Sequence, residues 1–132
     1  MRLDIITIFP DMFEGVLGES ILKRAQDKKK VVFHVHDLRK YSADKKHRRV
    51  DDRPFGGGPG MLLKPEPLFE AVEQLKTAVT RVILLGPAGR KLTQTIAREL
   101  AAQEHLLLIC GSYEGYDERV RTALAHDELS IG

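Results

Sequence analysis

The chain has 132 residues, 42% of them hydrophobic and 30% charged, which is the composition of a single globular domain with a hydrophobic core. Its longest apolar run, Leu106 to Cys110, is far shorter than the roughly 18 residues that predict a membrane span. One cysteine excludes an internal disulfide framework and a cysteine-based zinc cluster, so we expect a cytoplasmic protein that does not enter a membrane.

Hydrophobic periodicity and turn residues predict alternating strands and helices along the chain. The first half contains a strand over Leu3 to Phe9, helices over Asp11 to Leu17 and Ser20 to Asp27, a strand over Val31 to Asp37 and a long loop over Tyr41 to Gly60. The second half contains a helix over Pro65 to Val79, strands over Arg81 to Leu85 and His105 to Cys110 with a helix to Ala102 between them, a helix to Ala125 and a strand that begins near Glu128. Ser20, Thr93 and Asp117 are the expected N-caps of their helices.

The two late strands, before and after the helix that ends at Ala102, predict the fold class. Both are continuously apolar, which is the pattern of a parallel sheet covered on both faces. We therefore predict an α/β fold with a mostly parallel sheet and helices on both faces. Ligands bind such sheets at the carboxyl ends of the strands, where the turns Gly86 to Gly89 and Gly111 to Gly115 lie. A turn that binds no ligand is the alternative for either of them taken alone.

The turn from Gly111 to Gly115 carries two side chains that could contact a ligand. Tyr113 could pack on a flat base, and Glu114 could orient a polar or cationic group. Asp117 and Glu118 have a simpler explanation, because carboxylates stabilise the start of a helix. The turn from Gly86 is not a nucleotide phosphate loop, and the chain has no G-x-G-x-x-G, so a nucleotide-dependent enzyme is disfavoured.

Positive charge is concentrated in one part of the chain. Between Lys23 and Arg53, twelve Lys or Arg accompany five Asp or Glu, whereas the remainder has nine basic and fourteen acidic residues. Such a basic block is typical of a polyanion-binding surface, and a solvated face is the alternative. The glycine-rich stretch that follows could place Arg53 on phosphate and Phe55 against a base, which favours contact with nucleic acid.

Two kinds of side chain have ordinary explanations. His34 and His36 share one strand face without a third ligand, and they predict surface residues rather than a metal site. Cys110 follows four apolar residues and predicts a buried, unreactive thiol.

Several ordered motifs together resemble one enzyme family. They are Ile8 to Phe13, Val50 to Met61, Gly86 to Lys91, Cys110 to Arg119 and Ser130 to Gly132. In these motifs, which span the whole chain, the sequence resembles the tRNA (guanine-N1)-methyltransferases of the SPOUT superfamily. Members of this family transfer a methyl group from S-adenosylmethionine to N1 of the guanine just 3′ of the anticodon.

The resemblance implies a fold, ligands and site residues for this chain. It implies an α/β domain with a deep trefoil knot, which is rare among folds, and a homodimer that binds S-adenosylmethionine, tRNA and, as a further candidate, Mg²⁺. The implied cofactor-binding residues are Leu84, Leu85, Gly86, Pro87, Gly111, Tyr113, Gly115, Ser130, Ile131 and Gly132. The implied RNA-binding residues are Arg48, Arg49, Asp51, Asp52, Arg53, Phe55 and Gly60. Glu114 is the implied catalytic residue.

Relatives of this kind continue beyond the position of Gly132. Their further residues include a helical C-terminal domain and an aspartate that resembles a general base acting across the homodimer. We therefore expect residues 1–132 to form an incomplete S-adenosylmethionine-binding domain, one that binds the cofactor weakly and does not methylate tRNA by itself. A non-catalytic RNA-binding module is the alternative function.

Overall fold

A computed structural model describes residues 1–43, 45–46, 48, 50–52, 62–111 and 115–132, with the backbone only at Asp51, Asp52 and Leu62. These residues form two sheets and five helices. The strands are β1 (Arg2–Thr7), β2 (Val32–Asp37), β3 (Asp51–Asp52), β4 (Leu62–Leu63), β5 (Thr80–Lys91), β6 (His105–Cys110), β7 (Gly115–Tyr116) and β8 (Asp127–Ser130). The helices are α1 (Asp11–Leu17), α2 (Ser20–Asp27), α3 (Pro65–Leu75), α4 (Gln94–Ala101) and α5 (Glu118–Ala123), with a 3-10 turn at Leu38–Tyr41.

The main sheet has the strand order β2-β1-β6-β5-β8, and all of its pairings are parallel. Its apolar residues divide between two faces. Leu84 packs toward α3, where Leu68 is buried, whereas the preceding Ile83 packs toward Ile96 of α4. This alternation is the expected period of a strand. The predicted α/β fold, a parallel sheet with helices on both faces, is confirmed; the trefoil knot remains a prediction. None of the described helices is long and apolar enough to span a membrane.

The predicted long loop over Tyr41 to Gly60 is wrong in part. Asp51–Asp52 forms β3, which pairs antiparallel with β4, and β4 pairs parallel with β7 in a second, three-stranded sheet. A strand of two residues shows no alternation along the sequence, so only the pairing partner reveals it.

Three predicted helix ends also need correction. Ser20 is not an N-cap: it is the first residue of α2 with a positive φ of 50°, and Glu19 occupies the cap position. α3 ends at Leu75, because Thr77 donates its backbone N–H to Thr80 Oγ1 at 2.6 Å in a turn, and Val79 is 51% exposed. α5 ends at Ala123, short of the predicted Ala125. The caps Thr93 and Asp117 are confirmed, since each side chain accepts a backbone N–H of its helix.

The predicted turn from Gly86 to Gly89 lies inside β5, which continues to Lys91. Leu129 of β8 pairs with both Leu85 and Arg90, so the four residues between them bulge out of the strand and return to it. A Cβ on Gly89 would lie 2.5 Å from the backbone nitrogen of Leu129. The absent side chain of Gly89 therefore allows β8 to approach, and this close contact is with protein rather than with a ligand.

The space around each glycine predicts opposite effects on stability for Gly→Ala substitutions at Gly89 and at Gly15. Gly89→Ala is expected to lower the free energy of unfolding by about 1–3 kcal/mol, because the backbone of β8 must move. Gly15→Ala in α1 has no atom within 4 Å of the new Cβ and is expected to raise it by about 0.5–1 kcal/mol. Urea denaturation of both variants measures this difference, and equal stabilities would contradict the close approach of β5 and β8.

A buried carboxylate lies in β1 near the amino ends of the strands. Asp4 is fully buried, accepts a hydrogen bond from Arg2 Nε at 2.8 Å, and lies 2.6 Å from Nε2 of both His36 and His105. Thr80 Oγ1 lies 2.6 Å from His105 Nδ1, which extends the polar chain to β5. His36 is therefore half-buried against Asp4, and the predicted surface position holds for it only in part, whereas His34, on the same strand face, is exposed as expected.

Candidate active site at the carboxyl edge of the main sheet

Three predicted cofactor segments lie along the carboxyl edge of the main sheet: Gly86 begins the bulge inside β5, Gly111 follows β6 and Ile131 follows β8. Leu85 of β5 pairs with Cys110 of β6 and with Leu129 of β8. Because these strands are parallel, the residues after them emerge at the same edge. Gly86 and Gly111, which directly follow the paired residues Leu85 and Cys110, therefore lie side by side, and Ile131 follows β8 on the other side of β5.

The accessible surface of these segments is unevenly distributed. Gly86 is half-buried, whereas Pro87 and Gly111 are exposed. Ile131 is 73% exposed, so an apolar side chain borders this edge. Leu84 is fully buried in the core below it and has no accessible surface for a ligand. Any cofactor contact at β5 therefore falls to the residues after Leu84.

Two further side chains lie at the carboxyl edge of the main sheet, and the sequence did not predict a role for either of them. Tyr116 of β7 is buried, and its hydroxyl contacts Leu85 of β5 and Gly111, the residue after β6. Burial raises the pKa of Tyr116 above its ordinary value, so the hydroxyl keeps its proton. Glu128 of β8 accepts a hydrogen bond at Oε2 from Arg121 Nε at 2.9 Å.

The other carboxylate oxygen of Glu128 is the feature that points to a ligand. Oε1 is buried and has no hydrogen-bond partner among the described residues, and it lies 3.8 Å from where a Cβ on Gly86 would stand. An unsatisfied buried oxygen is energetically costly. A hydroxyl or ammonium group of a ligand would satisfy it, and S-adenosylmethionine carries both. The residues at this edge therefore fit the expected cofactor.

Cys110 at the end of β6 is not a nucleophile in this arrangement. The side chain is half-buried, and burial raises the pKa of its thiol to about 11. The thiol is protonated at neutral pH, in agreement with the predicted unreactive cysteine.

The remaining predicted site residues are described in part or not at all. Tyr113 and Glu114 lie outside the described residues, and Gly115 begins β7. In the basic segment Arg48 is exposed, as are Lys45 and Lys46 beside it. Outside the described residues lie Arg49, Arg53, Phe55 and Gly60, and Asp51 and Asp52 are known only by their backbone in β3. Among the described ranges no group of three or more His, Cys, Asp or Glu could hold a metal ion.

Comparison with known proteins shows the family. A family model described as tRNA (Guanine-1)-methyltransferase TrmD matches residues 1–132. The chain belongs to this family. Its membership agrees with the motifs from Ile8 to Gly132 and with the parallel α/β sheet.

Relatives of this family are similar along the entire chain. The tRNA (guanine-N(1)-)-methyltransferase of Bacillus subtilis (strain 168) is 57% identical over 135 residues. The proteins of that name from Geobacillus kaustophilus (strain HTA426) and Staphylococcus haemolyticus (strain JCSC1435) are 58% and 56% identical over 134 and 133 residues. Each alignment covers 100% of this chain and 54–55% of the relative, so this tRNA (guanine-1)-methyltransferase family member spans about half the length of the curated relatives it matches.

Proposed function

We propose that the protein transfers a methyl group from S-adenosylmethionine to N1 of the guanine just 3′ of the anticodon in tRNA. The observation that carries the proposal is the family match over residues 1–132, which includes both glycine turns and the basic segment. The names of the relatives at 56–58% identity support the same reaction. A non-catalytic RNA-binding module is not favoured, because such a module has no need of the cofactor turns.

The carboxyl edge of the main sheet is the proposed cofactor site. Gly86, Pro87 and Gly111 would contact S-adenosylmethionine through their backbones, and Ser130 to Gly132 would close the third side. Glu128 Oε1, which has no hydrogen-bond partner within the described part of the chain, would accept a hydrogen bond from it. When bound there, the cofactor supplies a methyl group activated by a positively charged sulfur. The turns position that group for transfer, which is how binding geometry contributes to rate.

Methylation at N1 of guanine also requires that a proton be removed. N1 carries a proton at neutral pH, so a base must lie within hydrogen-bond reach of this nitrogen. We propose that Glu114, which follows β6 by four residues in the sequence, takes part in this step or orients the reactants. A Mg²⁺ ion, a homodimer and a cytoplasmic location are further parts of the proposal, supported by the family resemblance.

A nucleoside analysis tests the proposed reaction. Purified full-length protein is incubated with an unmodified tRNA transcript and S-adenosylmethionine that carries a labelled methyl group. The proposal predicts N1-methylguanosine at the position 3′ of the anticodon, and none in a transcript with adenosine there. Saturable tRNA binding without binding of S-adenosylmethionine would instead support the RNA-binding module.

The basic segment provides a prediction about tRNA affinity. Lys45→Ala combined with Lys46→Ala is expected to flatten the dependence of log K on log salt by about 0.7–0.9 for each lost phosphate contact. The matched control removes two exposed positive charges outside the segment, with Lys76→Ala and Arg98→Ala. Filter binding at several salt concentrations measures the slopes. Equal slopes for the two variants would assign the lysines to a solvated face.

A further inference from the structure

Tyr116 lies between the two glycine turns at the carboxyl edge, one at Gly86 in the bulge of β5 and one that begins at Gly111 after β6. A Cβ on Gly86 would lie 3.5 Å from its ring atom Cε2, and a Cβ on Gly111 would lie 2.8 Å from its hydroxyl. The residue is 6% exposed. The ring therefore contacts both turns, and a glycine at position 111 provides room for the hydroxyl.

The hydroxyl of Tyr116 joins the backbones of β5 and β6 where the turns begin. It accepts a hydrogen bond from the Gly111 N–H at 2.9 Å. The hydroxyl oxygen also lies 2.7 Å from the carbonyl oxygen of Leu85 and 3.0 Å from that of Ile109, and the hydroxyl can donate its single proton to either of them. One side-chain atom thus connects the residue before Gly86 to the first residue of the other turn.

The backbone of Tyr116 is fixed independently of the main sheet. Tyr116 pairs with Leu63 of β4 in the small sheet, and Asp117, the next residue, caps α5 with its side chain. The ring is therefore held at its base by one sheet while its hydroxyl reaches the other. A side chain supported in this way has little freedom to move with the turns, so the turns must conform to it.

We propose that Tyr116 is a positioning residue that sets the spacing between the two cofactor-binding turns. The proposal rests on the proposed function, since it takes Gly86 and Gly111 as contacts of S-adenosylmethionine. Without the hydroxyl, the N–H of Gly111 and the carbonyl of Leu85 lose a buried partner. The two turns would then hold the cofactor in a less defined geometry. The affinity for the cofactor would fall, whereas the rate of methyl transfer from bound cofactor would change little.

The test uses Tyr116→Phe in the full-length protein, because phenylalanine keeps the ring and removes only the hydroxyl. We expect the KM for S-adenosylmethionine to rise about tenfold, as the loss of one such hydrogen-bonded group implies. The kcat at saturating cofactor and the Kd for tRNA should change little. Tyr41→Phe is the matched control, because this half-buried tyrosine packs on the core near α3. The KM of this variant for S-adenosylmethionine should equal that of the wild type.

The split between KM and kcat distinguishes positioning from a general structural role. A smaller folded fraction would lower kcat and leave KM for S-adenosylmethionine unchanged, and that result would overturn the proposal. Absence of any S-adenosylmethionine-dependent activity in the wild type would overturn the proposed function as well. If the variant does not fold, amide hydrogen exchange of the wild type decides. The Gly111 amide should be protected without cofactor, and unprotected exchange would overturn the role of Tyr116.

Discussion

Glu114→Gln in the full-length protein is expected to lower the rate of methyl transfer by about 10²–10⁴-fold, the usual contribution of a general acid or base. Glutamine keeps the shape of the side chain but cannot take a proton or carry the charge. Glu114 directly precedes β7 and follows the end of β6, and it is not the residue that caps α5, since Asp117 has that role. We therefore expect the Tm to remain nearly unchanged.

A matched variant tests whether the loss of any nearby negative charge, rather than the loss of Glu114 itself, lowers the rate. Glu118→Gln removes a carboxylate four residues later, whose side chain is 74% exposed, and it should retain the rate of the wild type. Single-turnover methylation assays and thermal denaturation of both variants provide the comparison. If Glu114→Gln retains turnover and loses stability, then Glu114 is structural and not catalytic.

Asp4→Asn is expected to lower the free energy of unfolding by about 3–5 kcal/mol, because the buried carboxylate makes several hydrogen bonds to its neighbours and each hydrogen bond to a charged group contributes about 1.5–3 kcal/mol. Asp4 is fully buried, with Arg2, His36 and His105 around its carboxylate. An asparagine presents an N–H₂ group to one of these partners and leaves the others without a negative charge. Urea denaturation at pH 7 measures the loss. The control Asp27→Asn changes an exposed residue and should stay within about 0.5 kcal/mol of the wild type.

The same carboxylate predicts how stability depends on pH. Burial acts to raise the pKa of Asp4, but hydrogen bonds from Arg2, His36 and His105 outweigh it, so the pKa lies below its ordinary value of 3.8. A lowered pKa in the folded state stabilises the fold fully above pH 3.8, and this contribution is lost as the pH falls further. Asp4→Asn should therefore lose this part of the acid dependence. Parallel pH profiles for wild type and variant would contradict the assignment.

The sequence predicts those strands and helix ends that are determined by residues close together in the chain. The strand His105–Cys110 was predicted with its observed bounds because a strand covered on both faces is continuously apolar. Thr93 and Asp117 were predicted as caps because an N-cap bonds to N–H groups only two or three residues away. The meeting of Gly86 and Gly111 at one edge followed from the parallel order of the strands alone.

Contacts between distant residues were not predictable from periodicity. The interaction of His105 with Asp4 joins residues 101 positions apart, and the bond from Tyr116 to Leu85 spans 31. The continuation of β5 to Lys91 depends on pairing with β8 on both sides of a bulge. Gly89 illustrates the limit, since the sequence places it in a turn at a strand end but does not show that β8 is its neighbour.

Backbone amide chemical shifts test directly where the cofactor binds. S-adenosylmethionine is titrated into the ¹⁵N-labelled full-length protein. We expect saturable shift changes for the amides of Gly86, Gly111 and Ile131 at the carboxyl edge. We expect none for Lys30 and Glu104, which lie at the opposite end of the strands, where their carbonyls accept hydrogen bonds from Met1 and Arg2. Changes confined to that opposite end, or no saturable changes at all, would show that the cofactor does not bind at the carboxyl edge.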